Sequence, residues 1–273
     1  MSYRTQVSLI VLAVVLACPL AAQKKVAETE QEKLGAGHFN EAIAAYSAGD
    51  YEKCIPLFVS ADSLIGETEL VDRSKLRFAL GTAYLESGKA ADALKCFKLV
   101  AEQDPGYEGI QLQMAEAARK AGKRSEALGF YRAALESATP AGQPVILGRI
   151  GELELDSGRY QTALEALNGA IEVKPATTYY LLRGQVYDKL AQKLDHAEDD
   201  KFDFEKAIRR KEITEEQITQ ANELRNKALE DYRNAARDES LAAACARFIE
   251  RSEVILENNN QVISEIRFQA DNN

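Results

Sequence analysis

The chain has no tryptophan, two histidines, two methionines and six prolines in 273 residues. Each scarcity excludes something. A polysaccharide-binding face wants a stripe of exposed Trp and Tyr; Trp is missing, and most of the tyrosines fall at packing positions of the pattern described below. The histidines, His38 and His196, stand far apart and outside any His-Glu-x-x-His spacing, so neither belongs to a metal-ligand pattern. A phosphate-cradling glycine loop and a Gly-x-Ser-x-Gly nucleophile elbow are also absent from the sequence. Basic runs are missing as well. With 34 Lys and Arg against 43 Asp and Glu, the net charge of −9 repels nucleic acid phosphates. These absences leave no constellation for an enzyme, no cofactor site and no nucleic-acid partner. Few prolines and many alanines favour helix, because Pro breaks a helix and Ala loses no side-chain entropy in one. A hydrophobic share of 46% and a charged share of 28% are those of a folded chain.

The N-terminus has the form of a secretory signal over residues 1–22. Arg4 gives the positive start, Val7 to Ala17 is an almost unbroken apolar run, and Leu20-Ala21-Ala22 precedes Gln23. Three outcomes fit: cleavage before Gln23, a lipobox at Val15-Leu16-Ala17-Cys18 with Cys18 lipidated, or an uncleaved anchor. Leu16 is an unusual choice just before the small residue of a lipobox. The apolar run is short for a bilayer span, and nothing later is apolar enough to span one. Removing this segment takes away only Arg4 among charged residues and leaves 33 basic against 43 acidic, a net −10. Cys54, Cys96 and Cys245 then remain. An odd count at wide spacing announces neither a disulfide framework nor a metal site; each lies in a helical apolar pattern and suits a small buried hydrophobe. His196 sits beside Asp195, Glu198, Asp199 and Asp200, which reads either as a solvated charged loop or as a weak cation site.

Internal repetition decides the fold. Leu80-Gly81-x-x-Tyr84-x-x-x-Gly88 is followed by Ala93-Leu94-x-x-Phe97 and Pro105. The skeleton returns as Met114-Ala115-x-x-Ala118-x-x-x-Gly122 with Ala127-Leu128-x-x-Tyr131-x-x-Ala134. It returns again as Ile150-Gly151-x-x-Glu154-x-x-x-Gly158 with Ala163-Leu164-x-x-Leu167-x-x-Ala170 and Pro175. An earlier copy holds Ala42, Tyr46, Gly49, Cys54, Phe58 and Ala61. The turn glycines 88, 122 and 158 are 34 and 36 residues apart. Small residues at Gly81, Ala115 and Gly151 let the first helix of each pair approach the second, and the glycines end the first helix where a positive φ is wanted. Large residues at Tyr84, Phe97 and Tyr131 are expected to fill the layer between repeats. Glu154 departs from the pattern, standing where the second copy has Tyr84. Stacked neighbours of this kind bury one another's apolar faces. The pattern resembles the tetratricopeptide repeat family, strongly over 35–177 and less cleanly to about 240.

That resemblance implies an all-α, right-handed α-solenoid of helical hairpins. Its divisions are a segment over 23–34 that is linker or N-terminal cap, four repeats over 35–177, a fifth inserted hairpin over 178–239, and a capping helix with tail over 240–273. In the fifth unit Leu181, Gly184 and Tyr187 start normally, but no turn glycine follows Leu190-Ala191. Phe204, Ala207 and Ile208 predict a short amphipathic helix. Thr214-x-x-Gln217 is a capping box that predicts a new helix from about Glu215, and Ala228, Tyr232 and Ala235 repeat the second-helix skeleton. After Ser240 a last helix carries Leu241, Ala244, Cys245, Phe248, Ile249 and Val254, and the polar Asn258-Asn259-Asn260 is expected to break it.

The family's inner face is lined mostly by the first helix of each pair. Counting back from the turn glycines places Phe39, Ile43 and Tyr46, then Phe78, Thr82 and Leu85, then Leu112, Glu116 and Arg119 on that face. Further along it come Gly148, Glu152 and Leu155, then Leu181, Gln185 and Asp188. Phe39 and Ile43 stand where the family's carboxylate clamp wants Lys and Asn, which excludes that mode. Two alternatives remain for Phe39 and Ile43: a partner's apolar segment, or cover by residues 23–34. The resemblance implies a non-enzymatic scaffold in a bacterial envelope, periplasmic or membrane-anchored through Cys18, whose partner, held in the concave groove or on the inserted hairpin, is another protein of envelope, secretion or assembly machinery. The competing expectation is a periplasmic binding module for a non-protein ligand such as polysaccharide.

Overall fold

The computed structural model describes residues 30–65, 71–197, 202–210 and 212–271. Residues 1–22, where the export signal and Cys18 are expected, residues 23–29 and the acidic residues 198–200 lie outside that set. Among the described residues there are twelve helices and no strand.

The first unit, ending at Ala134, contains α1 (Glu30–Ser47), α2 (Tyr51–Leu64), α3 (Arg73–Glu86), α4 (Ala90–Gln103), α5 (Ile110–Lys120) and most of α6 (Arg124–Glu136). The second contains α7 (Gln143–Asp156), α8 (Tyr160–Val173), α9 (Thr177–Asp195), α10 (Phe204–Arg209), α11 (Glu215–Ala235) and α12 (Glu239–Asp271). Within each unit, helices adjacent in sequence pack on one another.

The turn inside a pair is the same in four copies. Gly49, Gly88, Gly122 and Gly158 have φ of 76°, 81°, 75° and 72°. The glycine N–H donates to the carbonyl three residues back, and the next N–H donates to the carbonyl five back, as in Lys89 N to Tyr84 O at 2.8 Å. The same pair of bonds recurs from Gly49 and Asp50, Gly122 and Lys123, and Gly158 and Arg159. This is the Schellman stop, which satisfies carbonyls that a helix end otherwise leaves bare. The fifth pair ends its first helix differently, on His196 at φ 51°. Helix starts are fixed by side chains: Asp50, Asp72 and Asp203 accept from nearby N–H groups, and Thr214 and Gln217 form the expected capping box ahead of α11.

Close approach within a pair follows a small-on-large rule. A Cβ at Gly81 would lie 2.7 Å from Phe97 Cε1, and one at Gly151 2.5 Å from Leu167 Cγ. In the fifth pair, one at Gly184 would lie 2.7 Å from Tyr232 Cε1. Ala115 and Tyr131, both fully buried, hold the matching positions of the third pair. Phe97 thus sits on the first helix of its own pair, where it also meets Phe78 at 5.6 Å, whereas the sequence expectation had placed it between pairs. Phe58, Phe97, Tyr131, Leu167 and Tyr232 are all fully buried, each from the second helix of its pair. At about 25 cal/mol per Å², burying a side chain of this size contributes on the order of 2–3 kcal/mol.

One further expectation is corrected, and another is tested only in part. Of the residues 23–34 expected as linker or cap, Glu30–Leu34 open α1, the helix that carries Phe39, and 23–29 lie outside the described residues. Gly35 seats α1 against the end of α2, where its added Cβ would meet Ile65 Cγ1 at 2.8 Å. The asparagine triplet does not break the last helix: α12 runs for 33 residues through it. Asn259 is 2% exposed, and its Nδ2 donates to Asp195 Oδ2 at 3.0 Å and Asn222 Oδ1 at 2.8 Å. That tertiary pairing outweighs the weak helix propensity of Asn.

The fifth pair is the longest. α9 has 19 residues and α11 has 21, while α7 and α8 have 14 each. The two pack antiparallel, as the contacts Thr177–Asp238, Arg183–Asp231 and Asp195–Arg225 show in order. α12 lies antiparallel along α11, from Phe248 on Tyr232 to Arg267 on Glu215. Between α9 and α11, the short α10 and its flanks form a small separate core of Ala207, Ile213 and Ile218 with Phe202, Phe204, Ile208, Val262 and Ile263.

Candidate functional site

In the first unit, the residues expected on the inner face are largely taken up by their own core. Phe39 packs on Phe58 at 6.0 Å, and Tyr46 meets Tyr51 edge-on at 5.9 Å. Ile43 packs on the cluster of Ala42, Cys54, Phe58 and Ala83. Phe78 lies between Phe97 and Tyr107, the latter at 5.0 Å. Thr82 is 1% exposed and its hydroxyl donates to the Phe78 carbonyl, so this position presents nothing to a partner. Leu112 is half-buried on α5. Glu116 and Arg119 pair with each other at 2.9 Å, and Tyr131 Oη donates to Glu116 Oε1 at 2.6 Å. The Glu116 carboxylate therefore satisfies a tyrosine hydroxyl that would otherwise be buried without an acceptor.

The second unit repeats this device and enlarges it. Tyr232 Oη donates to Asp188 Oδ2 at 2.6 Å. Tyr131 and Tyr232 hold equivalent positions, and in each case the acceptor is a carboxylate on the first helix of the pair. Where the second helix offers Phe97 or Leu167, no such acceptor is needed. Around Asp188 lies a buried polar cluster that sequence inspection missed. Arg225 is fully buried; its Nε and Nη2 donate to the two oxygens of Asp195 at 2.9 and 3.1 Å, and its Nη1 to Asp188 Oδ1 at 3.3 Å. From α12, Ser252 Oγ reaches Asp188 at 3.5 Å, and Asn259 reaches Asp195. Burial pushes the Asp188 carboxyl above its ordinary value, against the pull of Tyr232, Arg225 and Arg251.

The spacing was the available signal. Gly184, Asp188, Ala191 and Asp195 alternate by four and three, as do Ile218, Ala221, Arg225, Ala228, Tyr232 and Ala235; Cys245, Ser252 and Asn259 recur every seven. Polar residues in phase with a heptad seam are buried residues. The Asp195 carboxylate is thereby turned inward to Arg225. His196 stacks on Phe202 at 4.2 Å, and among the described residues no group of acidic, histidine and cysteine side chains is gathered for a metal. Glu154, the other departure, is fully buried and ion-paired with Arg159.

Beside this cluster opens a cleft of about 310 Å³. Its lining includes Leu155, Gln185 and Asp188, three positions assigned to the inner face from sequence. Tyr160, Tyr232 and Phe248 supply aromatic wall, with Tyr232 and Phe248 stacked at 5.0 Å. Asp156, Lys189 and Arg251 complete it. The lining joins four charged side chains and a glutamine to this apolar and aromatic wall, and its volume holds one or two large side chains.

The elements define a class: an all-α protein of tetratricopeptide-type helical pairs with a terminal helix packed on the last pair. Among solved structures, the chain is similar to a crystal structure of MamA protein, with a TM-score of 0.55 at 15% identity over 78% of this chain and 95% of that one. It is similar also to a second MamA crystal structure, at 0.52 and 16% over 72% and 97%. A third is MamA from residue 41 to its end from Desulfovibrio magneticus RS-1, at 0.51 and 15% over 76% and 98%. At these identities the likeness is one of fold. No protein-family model matches the sequence, and no curated relative matches it.

Proposed function

We propose that this protein is a non-enzymatic scaffold that holds a segment of another protein against the inner-face positions of its second unit. The observation that carries this is the cleft in which Leu155, Gln185 and Asp188 meet the aromatic wall of Tyr160 and Phe248. A repeat array that presents a row of such positions gains affinity from a few apolar anchors. The signal-like sequence over 1–22 supports a place for the scaffold in a bacterial envelope, either free in the periplasm or tethered through Cys18. Its partner is then a component of envelope, secretion or assembly machinery.

Native cells are cross-linked with a membrane-permeant reagent, and proteins joined to a tagged full-length chain are identified. The expected outcome is one dominant envelope protein and recovery of the tagged chain with the envelope fractions. Recovery in the cytoplasm overturns the location, and cross-links to no protein overturn the scaffold. The mass of the mature N-terminus decides between cleavage before Gln23 and lipidation of Cys18.

A further inference from the structure

The cleft of the second unit is built partly from the last helix. Its lining draws on α7, α8, α9 and α11 through Leu155, Tyr160, Gln185 and Tyr232, and on α12 through Phe248 and Arg251. Phe248 is held by its stack on Tyr232 at 5.0 Å, with the ring planes 17° apart. Further along α12, the Ser252 hydroxyl donates to Asp188, which itself lines the cleft, and Asn259 donates to Asp195 and Asn222. The cleft and the polar seam are therefore one structure. When α12 lifts away, Phe248 and Arg251 leave the lining. A seam of this kind opens at lower cost than an apolar one. Ser252 and Asn259 are buried against Asp188, Asp195 and Arg225, and burial pushes the Asp188 carboxyl up. Opening returns these polar groups to water and recovers the desolvation cost of having buried them.

We propose that α12 is a strap whose docking completes the cleft, so that holding a partner segment and closing the last helix are one linked equilibrium. This rests on the scaffold function proposed above and adds its regulation. A segment that touches both Leu155 and Phe248 binds the closed form better than the open one, because the open form lacks half of that contact. A ligand shifts an equilibrium only by such a difference in affinity, and the shift is reciprocal. Whatever loosens α12 weakens capture, and capture slows the opening of α12.

The test combines a photo-cross-linking amino acid at Gln185 of the full chain, in its native cells, with hydrogen exchange of the purified protein. Asn259→Ala removes the bonds to Asp195 and Asn222 and touches nothing in the cleft lining. Exchange of the Cys245–Ile255 amides should accelerate in this variant while α7 and α8 keep their rates. The cross-link yield at Gln185 should fall about fivefold or more. In captured complexes of the wild type, the same α12 amides should exchange more slowly than in the free chain. Ser252→Ala, a milder change in the same seam, should move both readouts in the same direction by less, and carries the test if Asn259→Ala also speeds exchange in α7 and α8. Equal capture despite faster α12 exchange overturns the linkage and leaves the scaffold standing. So does α12 exchange that neither variant moves. No capture at Gln185 in the wild type overturns both.

Discussion

The first unit buries aromatic rings, and the second buries charge. In the first, Phe58, Phe97 and Tyr131 fill successive pairs, and Glu116 is drawn inward to serve Tyr131. In the second, Asp188, Asp195, Arg225 and Asp231 are all at most 5% exposed. The difference is concentrated in the fifth pair. The 14-residue α7 of the same unit buries a single carboxylate, Glu154, against Arg159. The lengthened α9 and α11 need α12 as a third helix, and their seam uses polar groups that pair in only one register. Buried ionic groups are weak contributors to stability but can specify alignment, as polar residues do at single seam positions of coiled coils.

The largest expected effect breaks the polar seam. Arg225→Met leaves Asp188 and Asp195 buried without their cation and should cost about 3–5 kcal/mol. Urea unfolding measures this, and hydrogen exchange should show the α12 amides losing protection. Replacing all three by apolar residues, in Arg225→Met with Asp188→Leu and Asp195→Leu, should recover most of that loss. If the triple variant stays as unstable as the single one, the charges are worth more than their shape, and the comparison fails.

Glycine separates close packing from mere turn-making in both units. Gly184→Ala drives a Cβ into the Tyr232 ring and should destabilise by about 1–3 kcal/mol, as should Gly81→Ala against Phe97. Gly129, inside α6, has nothing within 4 Å of its added Cβ, so Gly129→Ala should stabilise by about 0.5–1 kcal/mol. Thermal melts of the three variants give the signs directly. A destabilising Gly129→Ala would show that α6 is packed more tightly on that side than its geometry indicates.

The thiols sharpen the contrast without altering the fold. Burial pushes Cys54 and Cys96 of the first unit up to about 11, and raises Cys245 of the second as well. All three should resist iodoacetamide at pH 8 in the folded protein and react together only in urea. Early labelling of Cys245 alone would place the opening of α12 ahead of global unfolding.

The smallest effect concerns an exposed pair in the second unit. The Arg267 guanidinium beside Glu215 holds its carboxyl below the ordinary 4.5. A lowered folded pKa contributes stability above the unfolded value, and that contribution disappears as pH falls through the folded one. Arg267→Ala should bring Glu215 back towards 4.5 in a carboxyl NMR titration. An unmoved value would mean that the end of α12 does not stay on α11.

What was legible in the sequence was local. The four turn glycines, the Thr214–Gln217 capping box, the short helix at Phe204 and the small positions at 81, 115, 151 and 184 each depend on residues a few positions away or on a repeating period. The spacing of the seam residues was in the sequence, but their pairings were illegible because the partners are remote. Arg225 reaches back 30 residues to Asp195 and 37 to Asp188, and Asn259 lies 64 residues from Asp195. A polar residue read alone suggests surface, so Asn258–Asn260 suggested a break and Glu116 a groove contact. Three of the positions counted onto the inner face, Leu155, Gln185 and Asp188, line one cleft. The count misled at Thr82, because it gives a direction around the helix and not the depth of packing.

The 33 residues of α12 make a rod about 50 Å long at 1.5 Å per residue. Its far end lies on the small core around Ala207, Ile213 and Ile218 and on the start of α11 through Arg267 and Glu215. A terminal helix end opens and closes more often than the molecule unfolds. Amides beyond Asn259 should therefore exchange with solvent in a separate, faster cooperative step than those of α7 and α8. The length that makes the last helix a cover also gives it a hinge in time, with Asn259 marking where the slow half ends and the fast half begins.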